Sequence, residues 1–498
     1  MMELEFEKRG LAYLRPLLQE VQNQEQTQEL RLSDGMPDLG RILGTWGQVV
    51  LRSKEWRGER ASISGGVMAF ILYAPEDGSE ARTLESWIPF QVKWDLEDDP
   101  RDGELRVQCL MRFLDARGVS ARKIMLRCGV SALAQGFRQE NVGIAVPGEL
   151  SEDVQVLKKR YPLRIPKQAG EKSFQLEETL SLPASSANAK QLVSYTLEPK
   201  ISECRMVSGR LVFRGSGVVH LVYFSDAGRL ESADIEVPFS QLADPEGQIS
   251  ADARCDLRMA VTSLELDRDS EGRLHMKAGL LAQYLLDDRE LVELVTDAYS
   301  SYRMVEPRYE ELDLPRILDQ QQVNIPVRQS LRQQAAGIAD VTYLPDFPIL
   351  RRGEGIQLEL PGQFQVLWYD EKGTLQSSTA RTEESWDTPA GEDTRIAATV
   401  LPGAAPSATP GSGMELKGES VLSVTTNARR GLPMVTGLTI GEERAPEKGR
   451  PSLILRRAGN TSLWEIAKST GSTMDAIRKA NTLEEDPAPD RILLIPVR

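Results

Sequence analysis

The sequence predicts a mainly β protein with three tandem β-rich, sandwich-like domains and a small C-terminal βααβ domain. Three observations predict it. One strand-turn-strand unit occurs three times, the last fifty residues contain a strand, two helical patterns and a strand, and a chain of 498 residues has room for several domains of roughly 100 to 200 residues each.

Each copy of the unit has an apolar strand ending in an aromatic residue, an acidic turn closed by glycine, and a second strand. The copies occupy residues 69–78, 219–228 and 364–373. Asp favours such a turn because it can hydrogen-bond its own backbone, and Gly tolerates a positive φ. Any β protein has strand-turn-strand units. Here, however, glycines precede every copy, and Ile88-Pro89-Phe90 and Val237-Pro238-Phe239 follow the first two. These matching flanks favour duplication, with copies roughly 150 residues apart.

The N-terminal segment, 1–23, is predicted to be helical because its leucines and Val21 have helical spacing despite Pro16. Residues 160–162, which include a proline, are predicted to lie in a junction between domains. The predicted domains are a first repeat over 24–150, a second over 151–310, a diverged third over 311–442 with a flexible insertion at 401–413, a linker over 443–451 and the C-terminal domain over 452–498.

The charge balance limits the class of partner. Lys and Arg total 60 against 74 Asp and Glu, which gives a net charge of −14 and a pI of about 5.0. This disfavours binding to nucleic acid or anionic lipid and favours a protein or glycan partner.

The longest apolar run, Val67 to Ala74, is far shorter than a membrane helix. The acidic N-terminus lacks the basic start of a signal peptide, so we expect a cytoplasmic chain.

Catalytic chemistry is not expected, and neither is a cofactor or a metal. The two histidines, His220 and His275, have no nearby nucleophile or metal-ligand pattern, and no phosphate-binding glycine motif occurs. A glycosidase pair such as Glu85 and Asp95 is the enzymatic alternative that we considered.

The acidic turn at 267–272 resembles the start of a calcium loop, but its twelfth position is Ala278, so a hairpin turn is predicted. The four cysteines form no Cys-x-x-Cys pair and are expected to be reduced.

The C-terminal segment has the most specific pattern. A short strand, 453–455, precedes Ser462 and Glu465, which have the spacing of a capping box, and Ser472 with Asp475 offers a second helix start. Asn481 suits the end of the second helix, and 492–496 is a closing strand.

These residues resemble a LysM domain. The match covers Leu463-Trp464-Glu465-Ile466-Ala467, Thr473, Ile477, Asn481 and Leu493-Leu494-Ile495-Pro496. In that family two loops form a groove for N-acetylglucosamine chains. Both loops differ here, which favours protein binding by the same groove. The residues that the resemblance implies in partner or glycan binding are Asn460, Thr461, Ser462, Leu463, Trp464, Asn481, Leu483 and Pro489.

The repeats together with one C-terminal LysM resemble the SPOCS-domain proteins of endospore-forming bacteria. The resemblance implies a non-enzymatic scaffold of spore-coat morphogenesis that docks on a coat-assembly ATPase in the mother-cell cytosol, at the forespore surface. The alternative is a protein that binds peptidoglycan through its LysM domain at the cell wall or spore cortex. Such a protein would need export, and a single LysM is a weak anchor.

Overall fold

The computed structural model describes residues 2–96, 103–182, 189–247, 249–411, 413–443, 451–483 and 491–497. Strands make up 75% of the structure and helices 3%, which confirms the prediction of a mainly β protein. The β-strand pairings in the described residues are antiparallel.

The first two units have the same strand order. In each, six consecutive strands form two three-stranded sheets: the first strand pairs with the sixth and the sixth with the fifth, while the second, third and fourth form the other sheet. A short strand, Met2–Glu5 (β1), precedes them. The first unit has Glu7–Arg31 (β2), Leu39–Arg57 (β3), Arg60–Pro75 (β4), Arg82–Asp95 (β5), Glu104–Ser120 (β6) and Lys123–Val146 (β7); the second has Val154–Leu180 (β8), Ala189–Val207 (β9), Arg210–Ser225 (β10), Leu230–Ala243 (β11), Arg254–Arg268 (β12) and Leu274–Ser300 (β13).

The third unit keeps this order, but four of its strands are broken into two. The strands are Arg303–Leu312 (β14), Ile317–Leu331 (β15), Gly337–Pro345 (β16), Ile349–Arg352 (β17), Ile356–Tyr369 (β18), Leu375–Asp387 (β19), Thr394–Leu401 (β20), Ser407–Thr409 (β21), Met414–Ala428 (β22) and Leu432–Glu443 (β23). β15, β22 and β20 form one sheet, with β21 on β22; β18 joins β16, β17 and β19 in the other.

The outer strand pair of each unit continues past its sandwich as a stalk. The stalks are the outer ends of β2 and β7, the outer ends of β8 and β13, and the pair β14 and β23, to which β1 adds a third strand. Pro16 and Pro166 border the register shifts where the first two stalks begin. Both lie on outer strands of their sheets, where a missing N–H is tolerated. The three stalks share one apolar core, which includes Ile144, Leu294 and Leu438.

The predicted N-terminal helix is wrong. Residues 2–5 pair with β23, and residues 7–31 form β2, which pairs with β7. Tyr13, Leu14 and Leu18 are buried in three separate apolar clusters, so the apolar residues of this strand do not form one helical face. Pro16 would remove a hydrogen bond inside a helix, whereas at the bulge of an edge strand it is accommodated.

Two other predicted breaks also differ in the structure. Residues 160–162 lie within β8 and pair with β13, so the predicted junction is continuous strand. The predicted flexible insertion, 401–413, contains β21, and the carbonyl of Gly403 accepts a hydrogen bond from Lys200 at 2.6 Å. Residue 412 and most of the predicted linker, 444–450, lie outside the described residues.

The three turns that the sequence singles out are equivalent in the structure. Gly78, Gly228 and Gly373 have φ of 74°, 73° and 75°, a left-handed conformation that favours glycine. The aromatic residues five positions earlier, Tyr73, Tyr223 and Trp368, are buried. The longer acidic turn between β12 and β13 is a hairpin turn, closed by backbone hydrogen bonds to the Asp269 carboxylate.

The C-terminal unit contains Leu453–Arg457 (β24), Leu463–Thr470 (α1), Met474–Asn481 (α2) and Ile492–Pro496 (β25). The predicted capping box is present: the Ser462 hydroxyl accepts from Glu465 N, and the Glu465 carboxylate accepts from Ser462 N. The second helix is capped by Thr473 instead of the predicted Ser472, whose hydroxyl donates to Pro496 O. Among the described residues, no helix has the length and apolar character needed to cross a membrane.

Candidate functional site

The C-terminal unit exposes an apolar sheet face to solvent. β24 and β25 pair antiparallel, with Leu455 opposite Leu494. Since side chains alternate across a strand, Ile454, Leu493 and Ile495 turn toward the helices and are wholly or partly buried. The opposite side carries large side chains that are between 37% and 68% exposed. We call this surface the apolar sheet face; it consists of Leu453, Leu455, Ile492 and Leu494.

One basic residue shares the apolar sheet face. Arg457 pairs with Ile492 across the two strands and is exposed. Arg456 and Arg491 turn to the helix side instead: Arg456 donates to Ser469 at 3.0 Å, and Arg491 donates to the carbonyl of Asn481 at 2.7 Å. An apolar patch with a positive charge at its edge suits a protein partner that presents an apolar patch next to an acidic side chain.

Another surface of the unit packs on the stalk of the second unit. A bulge in β13 at residues 295–297 places Asp297 at this contact. Its carboxylate accepts hydrogen bonds from Trp464 Nε1 at 2.7 Å and from Lys468 Nζ at 2.7 and 2.8 Å. Burial alone would raise the pKa of Asp297, but Lys468 and Trp464 outweigh burial and hold it below its usual range. The contact therefore depends on an ionised carboxylate.

Tyr299 forms the apolar part of the same contact. Its ring meets the Trp464 ring edge-on with centroids 4.8 Å apart, and its hydroxyl donates to Ser472 O at 2.8 Å. Burial raises the pKa of Tyr299, so the hydroxyl stays protonated as a donor at physiological pH. The buried core of the C-terminal unit thus includes a residue of the second unit.

The structure separates the predicted binding residues into three groups. Asn460 and Ser462 are exposed, while Thr461, Asn481 and Leu483 are partly exposed. Leu463 and Trp464 are buried, at 1% and 5% exposure, so neither offers a free surface in this arrangement. Pro489 lies outside the described residues.

Asn481 connects the second helix to the closing strand. Its amide nitrogen donates to Leu494 O at 2.6 Å, and its amide oxygen accepts from Leu494 N at 2.7 Å. These two hydrogen bonds give Asn481 a structural role, which explains the asparagine at this position without a role in binding. No prediction from the sequence covers the apolar sheet face, although the consecutive apolar residues Leu453, Ile454 and Leu455 indicate apolar side chains on both sides of the strand.

The residues considered for catalysis are not brought together. Glu85 and Asp95 lie on the same strand, β5, ten positions apart, which is about 33 Å at the usual rise per residue. Paired glycosidase carboxylates are about 5 to 10 Å apart. His275 contacts Asp269 in the hairpin turn. No group of three or more metal-ligating side chains occurs in the ranges that the structure describes.

His220 instead joins three units. Its ring nitrogens contact Asp234 Oδ1 at 2.6 Å and Asp340 Oδ1 at 2.9 Å, and Trp46 Nε1 donates to Asp340 Oδ2 at 2.8 Å. Burial lowers the pKa of His220, but Asp340 and Asp234 outweigh burial and raise it to about 10. The protonated ring therefore bridges two carboxylates at the junction of the units.

Comparison of the chain with protein-family models, with curated proteins and with solved structures finds no match in any of the three.

Proposed function

We propose that this protein is a non-enzymatic scaffold of spore-coat or spore-envelope morphogenesis, which docks on a coat-assembly ATPase through its C-terminal unit. The observation that carries the proposal is the apolar sheet face, with the exposed Arg457 at its edge. Four large apolar side chains are exposed together in a unit of fewer than fifty residues, and such a patch is typical of a protein-binding surface.

The geometry modifies the docking surface that the LysM resemblance implies. Leu463 and Trp464 stabilise the contact with the second unit, so they are occupied within the chain. The exposed Asn460 and Ser462 remain available beside the first helix. We therefore assign the main partner contact to the apolar sheet face and a secondary contact to the loop before the first helix.

Glycan binding is the second candidate function. Its support is the exposure of Asn460 and Ser462, because polar side chains of this kind can hydrogen-bond sugar hydroxyls. Against it, Trp464, the aromatic residue suited to stack on a sugar ring, is buried against Tyr299. The protein-docking proposal therefore has the stronger support.

The test uses the full chain, the purified coat-assembly ATPase and purified peptidoglycan, with the affinities measured side by side. Leu455→Ser and Ile492→Ser change the apolar sheet face without touching the buried core. We expect each to weaken ATPase binding about ten-fold or more, as loss of a central apolar contact does. Leu291→Ser is the matched control, because Leu291 is 66% exposed on β13, outside the C-terminal unit.

Three outcomes are informative. Loss of ATPase binding in the two variants and not in the control supports the proposal. Equal ATPase binding by all three variants would show that the apolar sheet face does not contact the ATPase. Binding of peptidoglycan alone would place the chain in the glycan-binding class.

A further inference from the structure

A large cavity lies between the three units. Its volume is about 1120 Å³, and strands of all three units line it. Exposed residues of its wall, such as Asp234 and Arg254, show that it is open to solvent. Ligand pockets are usually about 300 to 1,000 Å³, so this cavity has room for an organic molecule as well as water.

Two buried arginines share one carboxylate beside this cavity. Arg106 Nη1 and Arg258 Nη2 lie 3.1 and 3.2 Å from Asp256 Oδ2. Arg106 is 1% exposed and Arg258 is 6% exposed. The cluster therefore has two positive groups and one negative group. Burying an unbalanced charge is costly, so such a cluster favours an additional anion.

Arg258 also has donors without partners. Its Nε and Nη1 are buried and have no hydrogen-bond partner among the described residues, although Arg258 is on the cavity wall. Burial and the neighbouring Arg106 lower the pKa of Arg258 to about 10, which leaves the guanidinium charged at neutral pH. Buried donor atoms without a hydrogen-bond partner are rare in folded proteins.

A second unpartnered atom lies on the same wall. Gln108 is on β6 with Arg106, and its Oε1 is buried and accepts no hydrogen bond from the described residues. An amide oxygen accepts from a hydroxyl or an N–H group. Arg258 and Gln108, two residues of the wall, thus have unpartnered buried atoms: donors suited to an oxyanion and an acceptor suited to a hydroxyl.

We propose that the cavity between the three units binds a small hydroxylated organic anion, through a carboxylate or phosphate group held by Arg258. Carboxylate and phosphate oxygens fit guanidinium donors well, and charge-assisted hydrogen bonds of this kind are strong. The proposal is independent of the partner contact at the C-terminal unit.

The experiment measures binding of citrate and of inorganic phosphate to the full chain by titration calorimetry and thermal unfolding, with chloride at equal ionic strength as reference. We expect saturable binding and a rise in the unfolding midpoint with at least one of the two anions. The preferred anion distinguishes a carboxylate site from a phosphate site. Absence of a saturable response beyond that of chloride overturns the proposal.

Substitutions assign the response to a residue. Arg258→Met is expected to weaken binding at least ten-fold. Arg254→Met is the matched control, because Arg254 is an exposed residue of the same strand and the same cavity wall. An equal response from the two variants contradicts the assignment.

A measurement on the wild-type chain covers the case in which Arg258→Met does not fold. Hydrogen exchange with and without citrate, and with and without phosphate, is expected to show protection at residues 256–260 of β12 and 106–108 of β6. Protection confined to other strands overturns the proposal.

Discussion

Trp464 Nε1 donates to the carboxylate of Asp297 across 2.7 Å, and this bond joins the C-terminal unit to the stalk of the second unit. Asp297 also accepts from Tyr309 at 3.1 Å, so one carboxylate connects residues from three separate parts of the chain. The C-terminal unit is therefore held in a fixed place, and the direction of its apolar sheet face is set by the stalk.

Asp297→Asn should loosen the C-terminal unit. The variant loses the negative charge of the carboxylate to which Lys468 and Trp464 donate. Hydrogen bonds to charged groups contribute about 1.5–3 kcal/mol to the free energy of unfolding. Hydrogen exchange in α1 should become faster while exchange in β4 stays unchanged. The control is Glu293→Gln on the same strand, since Glu293 pairs with Arg160 on the open surface. Equal exchange in α1 of both variants would show that Asp297 does not hold the unit.

His220→Gln should destabilise the junction of the units in a pH-dependent manner. The pKa of His220 rises to about 10 in the folded chain, against an ordinary value of 6.5. The extra stability is fully present below pH 6.5 and is lost as pH rises through about 10. We expect a deficit in the free energy of unfolding of about 1.5–3 kcal/mol at pH 6.5, which shrinks toward pH 10.

Denaturant unfolding at several pH values measures this difference. His275→Gln is the control, since His275 is the other histidine of the chain and lies in a turn, with its side chain 41% exposed. A deficit for His220→Gln that does not change between pH 6.5 and pH 10 would contradict a protonated bridge between Asp234 and Asp340.

Gly65→Ala and Gly215→Ala should each destabilise the fold. A Cβ at Gly65 would collide with the carbonyl oxygen of Val50 and lie 2.9 Å from the ring of Phe90. At Gly215 it would meet the carbonyl oxygen of Lys200 and lie 2.9 Å from the ring of Phe239. Overpacking of this kind costs about 1–3 kcal/mol, measurable by denaturant unfolding.

Gly10→Ala is the control for both glycine variants. Gly10 is also in a strand, but no atom lies within 4 Å of a Cβ added there. This variant should be neutral or stabilised by about 0.4–1 kcal/mol, because alanine restricts the unfolded chain. Equal loss of stability in all three variants would argue against the predicted collisions.

Cys204 and Cys255 should form a disulfide when the folded chain is treated with a mild oxidant. Their sulfur atoms are 2.6 Å apart, between β9 and β12. Burial raises the pKa of Cys109 to about 12 and that of Cys128 to about 11. The hydrogen bond with Cys204 and burial also raise the pKa of Cys255, so the short distance between the two sulfur atoms is what favours the 204–255 pair. Peptide mass spectrometry without reduction should find the 204–255 pair and leave Cys109 and Cys128 as thiols. A different pairing would contradict this packing.

Local features of the chain could be predicted from sequence. The turns at Gly78, Gly228 and Gly373 and the capping box of Ser462 depend on residues a few positions apart, and each is present. The N-terminal helix failed because Tyr13, Leu14 and Leu18 face different neighbours in the folded chain, and a single strand cannot reveal this. The spacing of apolar residues along a sequence indicates which of them are buried, but it does not identify the residues they pack against.

The contacts that define the candidate sites could not be predicted. Asp340 is 120 residues from His220 and Trp464 is 167 residues from Asp297. Each pair depends on how separate units pack, and strand order within a unit does not determine that packing. The cluster of Arg106, Asp256 and Arg258 has the same origin, because it joins β6 of the first unit to β12 of the second.

The pairing of β1 with β23 has a consequence for biosynthesis. Met2 pairs with Ile440, so β1 finds its partner only after the 438 residues up to Ile440 have been translated. Until then the backbone N–H of Phe6 lacks its acceptor, Thr436 O. The apolar ends of the two earlier stalks also remain exposed where β14 and β23 will pack on them. Contacts of such long sequence separation form slowly. Pairing of β1 with β23 thus follows translation of the third unit, and a nascent chain stalled before β23 would expose the surface that holds the three stalks together.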